Sequence, residues 1–255
     1  MTDKPIALGT ALVTMVEPHR GHAVAYNRWY ERDHFYAGCM IGAHTFAGGR
    51  FVATRECKDL RYPADSPIAS PVDQGSYIAL YWILDGHHDE WNRWAVDQVN
   101  WLHENGRMFT DRDHVHTLMY RYSGEQQAND DGIPSEVALD HHFRGLVVAI
   151  GEMAPGVDDQ EIEAFYSARP CPADVRVAFT PIPLLDDAPG DVPRDTVDNR
   201  FLHLYFTDDD VVDVWAERYA ALGDELAASG LGRIVFVAPF LSTVWGTDTY
   251  TDQLW

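Results

Sequence analysis

The sequence predicts an α+β protein built from two successive βαββαβ units. Two observations carry that prediction. Strand-like and helix-like segments follow one order over residues 7–122, and the same order returns over residues 143–244. The third strands of the two series also match in residue type: Tyr77-Ile78-Ala79-Leu80-Tyr81-Trp82 against Phe201-Leu202-His203-Leu204-Tyr205-Phe206.

Residues 7–16, rich in Ala, Leu, Val and Thr, read as the first strand. After Glu17-Pro18, bulky residues at helical spacing predict a helix over 26–37, with Gly38 as its stop. A strand over 44–54 follows, its Gly48-Gly49 pair marking a bulge or bend. Residues 57–74 are polar and contain proline, as loops do. Residues 76–84 form the strongest strand. The helix over 89–105 offers Trp91, Trp94, Val99 and Leu102 as apolar positions and Gly106 as cap. A strand over 114–122 closes the series.

The polar stretch 123–140 reads as a connection. Beyond it come a strand over 143–152, a helix over 158–168 opening on an acidic cap, and a strand over 174–184. Pro181 and Pro183 place that strand at a sheet edge. A polar loop (186–199), a strand (200–206), a helix (210–229, ending at Gly230) and a strand (233–244) complete the chain. Each series has the ferredoxin-like order. Each would bury the open face of its antiparallel sheet against the other, sheet to sheet, as a pseudo-dimer. The expected units are 1–124 and 141–255, with 125–140 as linker.

Composition removes several function classes. The 255 residues carry 40 acidic and 19 basic side chains, a formal net charge of −21. That field repels nucleic acid and anionic lipid, so neither is an expected partner. Cys39, Cys57 and Cys171 are odd in number and form no C-x-x-C, which points to a reducing compartment. Met1-Thr2-Asp3-Lys4-Pro5 lacks the signal-peptide pattern, and no apolar run approaches the ~18 residues of a membrane span. A cytoplasmic location is expected.

Chemistry concentrates in Tyr26-Asn27-Arg28-Trp29-Tyr30-Glu31-Arg32-Asp33-His34. On a helix, Tyr26, Tyr30 and His34 fall at i, i+4 and i+8, hence on one face, with Asn27 beside them. A phenol, an amide and an imidazole together can orient a polar ligand and move a proton. The competing reading is an amphipathic helix whose aromatics only pack on the sheet.

This run, with Gly42 and Gly49-Arg50-Phe51 after it, resembles the dimeric α/β-barrel superfamily, and its EthD-like members most. The chain departs from their pattern at Ile41-Gly42-Ala43, where Pro-Gly is usual. The resemblance covers roughly residues 26–51. It implies a barrel completed within one chain and a small-molecule pocket. Its members' activities are mixed: monooxygenases without cofactor, cyclases, isomerases, dehydratases and haem enzymes.

The expected function is therefore a small-molecule enzyme of secondary or catabolic metabolism. It would act by cofactor-independent acid–base chemistry, as an isomerase, cyclase or dehydratase, on an aromatic or polyketide-like compound. The alternatives are a cofactor-independent monooxygenase and a non-catalytic ligand-binding or stress-related protein. His34, Tyr30 and Asn27 are the expected catalytic residues; Tyr26, Trp29, His22 and Trp82 are expected to bind substrate. No cofactor is expected. The isolated His203 reads as a core residue rather than a haem ligand. No metal is expected either: His19-x-x-His22, His87-His88, His114-x-His116 and His141-His142 lack a strong ligand signature. His114 and His116 would share a strand face. Matching Trp29-Tyr30 to Phe165-Tyr166 sets Pro170 opposite His34, so one complete site per chain is expected. The aromatic tail ending at Trp255 would dock on the body or across a homodimer.

Overall fold

The computed structural model describes residues 6–194 and 198–255. The first five residues, which lack the signal-peptide pattern, and 195–197 of the predicted 186–199 loop lie outside the described residues. The strands are β1 (Leu8–Pro18), β2 (Thr45–Val52), β3 (Tyr77–Leu84), β4 (Arg112–Gln127), β5 (Gly145–Met153), β6 (Val175–Ile182), β7 (Arg200–Thr207) and β8 (Gly232–Ser242). The helices are α1 (Ala23–Trp29), α2 (Arg55–Asp59), α3 (His88–Glu104), α4 (Asp159–Ser167), α5 (Trp215–Arg218) and α6 (Leu222–Ser229). A π-wound segment, Tyr30–Met40, continues α1.

All neighbouring strands are antiparallel and close into a barrel in the order β1-β3-β2-β8-β5-β7-β6-β4. Each half contributes four strands in the same arrangement: β4-β1-β3-β2 and β8-β5-β7-β6. The chain is thus two ferredoxin-like repeats joined into one α+β barrel, as the element order predicts. Alternation along each strand sorts the side chains. Leu80, Trp82, Phe179, Leu204, Phe206 and Phe236 fill the barrel interior. The opposite face of each half-sheet is covered by that half's helices. Among the described residues, no helix is long and apolar enough to cross a membrane.

Four local expectations change. Gly38 does not stop the first helix. It lies inside the π-wound segment with the His34 ring resting on it; a Cβ there would stand 2.8 Å from Cε1 of His34. β4 runs on to Gln127, so the polar stretch begins as strand paired with β6. β6 is not an edge strand, since it lies between β7 and β4. Its register with β7 ends at Phe179, however, so Pro181 sits where one side is free and its missing N–H breaks no ladder there. The predicted 210–229 helix is broken into α5 and α6. Between them the Tyr219 carbonyl accepts a 2.6 Å hydrogen bond from the Tyr62 hydroxyl.

Candidate functional site

The first half's sheet and helices enclose a cavity of about 90 Å³. Leu12 and Thr14 of β1 and Thr117 and Met119 of β4 form its floor. The π-wound segment supplies Tyr30, His34 and Cys39, and α3 supplies Trp91, Ala95 and Val96. Its roof comes from the other half: Leu184, Ala188, Pro189, Asp191 and Val192 reach over from the β6–β7 loop. The walls are mostly apolar, which suits a flat hydrophobic ligand.

His34 faces this space, as do His103 and His114 nearer the rim. It stacks on Trp29 with centroids 4.5 Å apart and meets Tyr30 edge-on at 5.2 Å. No described residue hydrogen-bonds to either ring nitrogen. Burial, then the nearby positive charge of Arg112, lowers its pKa to about 3. The imidazole is therefore neutral at every ordinary pH. The Tyr30 hydroxyl lies 2.8 Å from that of Tyr81, and the Cys39 thiol, pushed up to about 12 by burial, hydrogen-bonds to the same Tyr81. Neither Tyr30 nor Cys39 ionises near neutrality. On the floor the Thr14 and Thr117 hydroxyls meet at 2.8 Å.

A charged rim ties the roof down. Asp191 receives a 3.2 Å hydrogen bond from Arg112 and stands 3.6 Å from His103 and 3.8 Å from His114. Burial pushes the Asp191 carboxyl up, but His114, Arg112 and His103 outweigh it and hold it low. Asp187, on the same loop, pairs with Arg93 of α3 at 2.9 Å.

The structure brings only part of the predicted set together. His34 and Tyr30 line the cavity, and Trp29 backs His34 while donating to the Arg107 carbonyl at 2.9 Å. Asn27 is spent elsewhere, accepting from Arg50 and donating to the Thr247 carbonyl at 2.9 Å. Tyr26 is buried among Trp29, Tyr77 and Phe109. His22 lies beyond the rim, 3.3 Å from Asp111. Trp82 points to the opposite face of the sheet, into the barrel, donating to the Ser135 carbonyl at 2.9 Å.

His114 and His116 do not share a face. The β1–β4 register shifts between Met15 and Val16, and the resulting bulge turns His114 to the cavity. His116 points inward to the Tyr120 hydroxyl at 2.8 Å. Asp191, His103 and Arg112 carried no signal in the sequence, because the β6–β7 loop meets the α3–β4 junction only in the fold. The cavity gathers no trio of metal-ligand atoms among the described residues.

The second half has a different arrangement under α4. Arg176 donates to Glu163 at 2.9 Å, and His203 Nε2 lies 3.0 Å from Glu163 and 3.1 Å from Arg176. His203 Nδ1 lies 3.4 Å from the Tyr205 hydroxyl.

No family model matches the chain, and no curated protein matches it. Solved structures do. A provisionally named chlorite dismutase superposes with a TM-score of 0.55 at 13% identity, covering 98% of this chain and 100% of that one. A DypB variant of Rhodococcus jostii in complex with heme gives 0.53 at 9%, covering 97% and 94%. An anthrone oxidase-like protein gives 0.51 at 10%, covering 96% and 98%. These likenesses confirm the ferredoxin-like barrel. They correct the expected function: the solved relatives are named for oxidative chemistry, which overturns the isomerase, cyclase or dehydratase reading.

The haem held by one relative does not fit the buried histidine of this chain's second half. Both nitrogens of His203 face protein partners, and the ring is closed in by Tyr166 at 4.4 Å and Phe201 at 5.0 Å. No nitrogen is left to meet an iron.

Proposed function

We propose that the chain oxidises a small hydroxyaromatic compound with dioxygen in the cavity at His34. One observation carries this reading: a neutral imidazole with no hydrogen-bond partner among the described residues faces a mostly apolar space. The oxidative names of its structural relatives support the same class. Electron-rich aromatics with an acidified C–H react with dioxygen once deprotonated. The step balances as a ring CH₂ plus O₂ giving a ring C=O plus water, with no other reductant.

His34 accepts the proton of the substrate. Because burial disfavours its charged form, it passes that proton on to the reduced oxygen rather than storing it. Trp29 fixes the ring plane. Thr14 and Thr117 offer hydroxyls to the substrate oxygen, while Leu12, Val96 and Met119 hold the ring. The cavity is smaller than most ligand sites, which span ~300–1,000 Å³. A substrate larger than the cavity requires its walls to give way.

The matched repeats support a tandem duplication, with 1–124 and 141–255 as its units. The Tyr26–His34 run supports an EthD-like relation.

Anthrone in an oxygen electrode tests the reading. The expected result is one O₂ consumed per anthrone above the uncatalysed rate, and a loss of about 100-fold or more in His34→Ala. Since His34 protonates only near 3, kcat/KM should show no limb near 6.5. Oxygen uptake equal to buffer, or an unaffected His34→Ala, sinks the proposal.

A further inference from the structure

Beyond the cavity, a second group of side chains has ligand chemistry of its own. His44 ends the turn that follows the π-wound segment. His87 and Glu90 sit at the start of α3. Among the described residues they are the one group whose ligand atoms all lie within 4.8 Å of one another. His44 Nε2 stands 3.1 Å from Glu90 Oε2, and His87 Nδ1 stands 3.6 Å from the same oxygen. The two imidazoles stack, with centroids 3.7 Å apart and planes 13° from parallel.

The backbone holds His44 there against its preference. Its φ is +74°, in the left-handed region that non-glycine residues seldom occupy. Such an outlier persists only where the surroundings fix it. The ring stack alone does not require this conformation, whereas a cation held by both rings and the carboxylate would favour it. The donor set is two imidazoles and one carboxylate, which suits a borderline divalent ion such as zinc, with water completing the shell. The parallel rings must turn for both lone pairs to converge. His87 has the freedom to do so, its side chain being 41% exposed. The N-terminal end of α3 opposes a cation, while Asp89, Glu90 and the net charge of −21 favour one.

We propose that His44, His87 and Glu90 form a divalent transition-metal site that clasps the end of the π-wound segment to α3. Both elements wall the His34 cavity. Their junction is already close: the Trp91 indole donates to Thr45 Oγ1 at 2.5 Å, and a Cβ on Gly42 would stand 2.3 Å from the Trp94 ring. A bound ion would therefore stiffen the cavity wall without touching substrate.

The experiment is calorimetric titration of the full chain, stripped with chelator and desalted, with Zn²⁺ at pH 7.5. The expected result is one saturable site per chain and a Zn²⁺-dependent rise in Tm. Both effects should weaken by about tenfold or more in His44→Ala and in Glu90→Gln. The variant His19→Ala/His22→Ala removes a histidine pair away from this cluster and should bind as the parent does. Binding that survives both His44→Ala and Glu90→Gln, binding lost instead in the His19/His22 variant, or no saturable binding, overturns the proposal.

Discussion

Acidification from pH 7 toward 4 should unfold this protein in a transition that takes up several protons. Burial is the first cause that lowers four histidines from the ordinary 6.5: His34 to about 3, and His114, His116 and His203 to about 4. In the unfolded chain each would bind its proton near 6.5. Between those limits the unfolded state holds more protons than the folded one. Stability is therefore complete above 6.5 and is lost as pH falls through 4 and on to 3. Each histidine contributes about 1.4 kcal/mol per pH unit across its window, so four give a slope of at most ~5 kcal/mol per unit. A typical domain has ~5–15 kcal/mol in all, so the fold should fail well above pH 3. Glu163 adds little in this range. Burial raises its carboxyl, but His203 and Arg176 outweigh that and hold it near about 2, so its contribution is lost only below the ordinary carboxylate range. Urea midpoints at pH 7, 6 and 5 measure the slope. Equal midpoints at 7 and 5 would contradict it.

The second large effect belongs to Trp82. Replacing it with Ala should cost about 3–5 kcal/mol, and lower Tm by roughly 10 °C. The side chain is fully buried inside the barrel, with Phe179 at 5.6 Å and Phe206 at 6.4 Å. The substitution also strands the Ser135 carbonyl that accepts its indole N–H. Because Trp82 lies across the sheet from His34, oxygen uptake at low temperature should stay near the parent value. A variant as stable as the parent but inactive would return Trp82 to the site.

That contrast marks how far the sequence reads. Periodicity of two and of 3.6 separates strands from helices, and the repeated order of elements leads to two four-stranded sheets. The stripe Tyr26, Tyr30 and His34 does share a face, with successive rings 5.7 and 5.2 Å apart. Which face of β3 looks out and which looks in is another matter. Tyr81 and Trp82 are both aromatic, and only the closure of the barrel decides that Trp82 is interior. The bulge that separates His114 from His116 leaves no mark in a run of strand-forming residues. Asp191 is 157 positions beyond His34 in the chain, and nothing local announces that its loop becomes a roof.

The barrel's two seams are unequal. β4 and β6 are joined by eight registered pairs, whereas β2 and β8 share two, Phe51 with Ser242 and Val52 with Leu241. Along the short seam, Leu139 from the connecting segment packs over Gly49 instead of a strand partner. Breathing should begin there. Amides flanking the β2–β8 contact would exchange their hydrogens long before those of β4 and β6, so the shell would open like a clasp hinged along β4–β6. An opened clasp leaves β2 with an unpaired edge, and at high concentration that edge could receive the β8 of a neighbouring molecule.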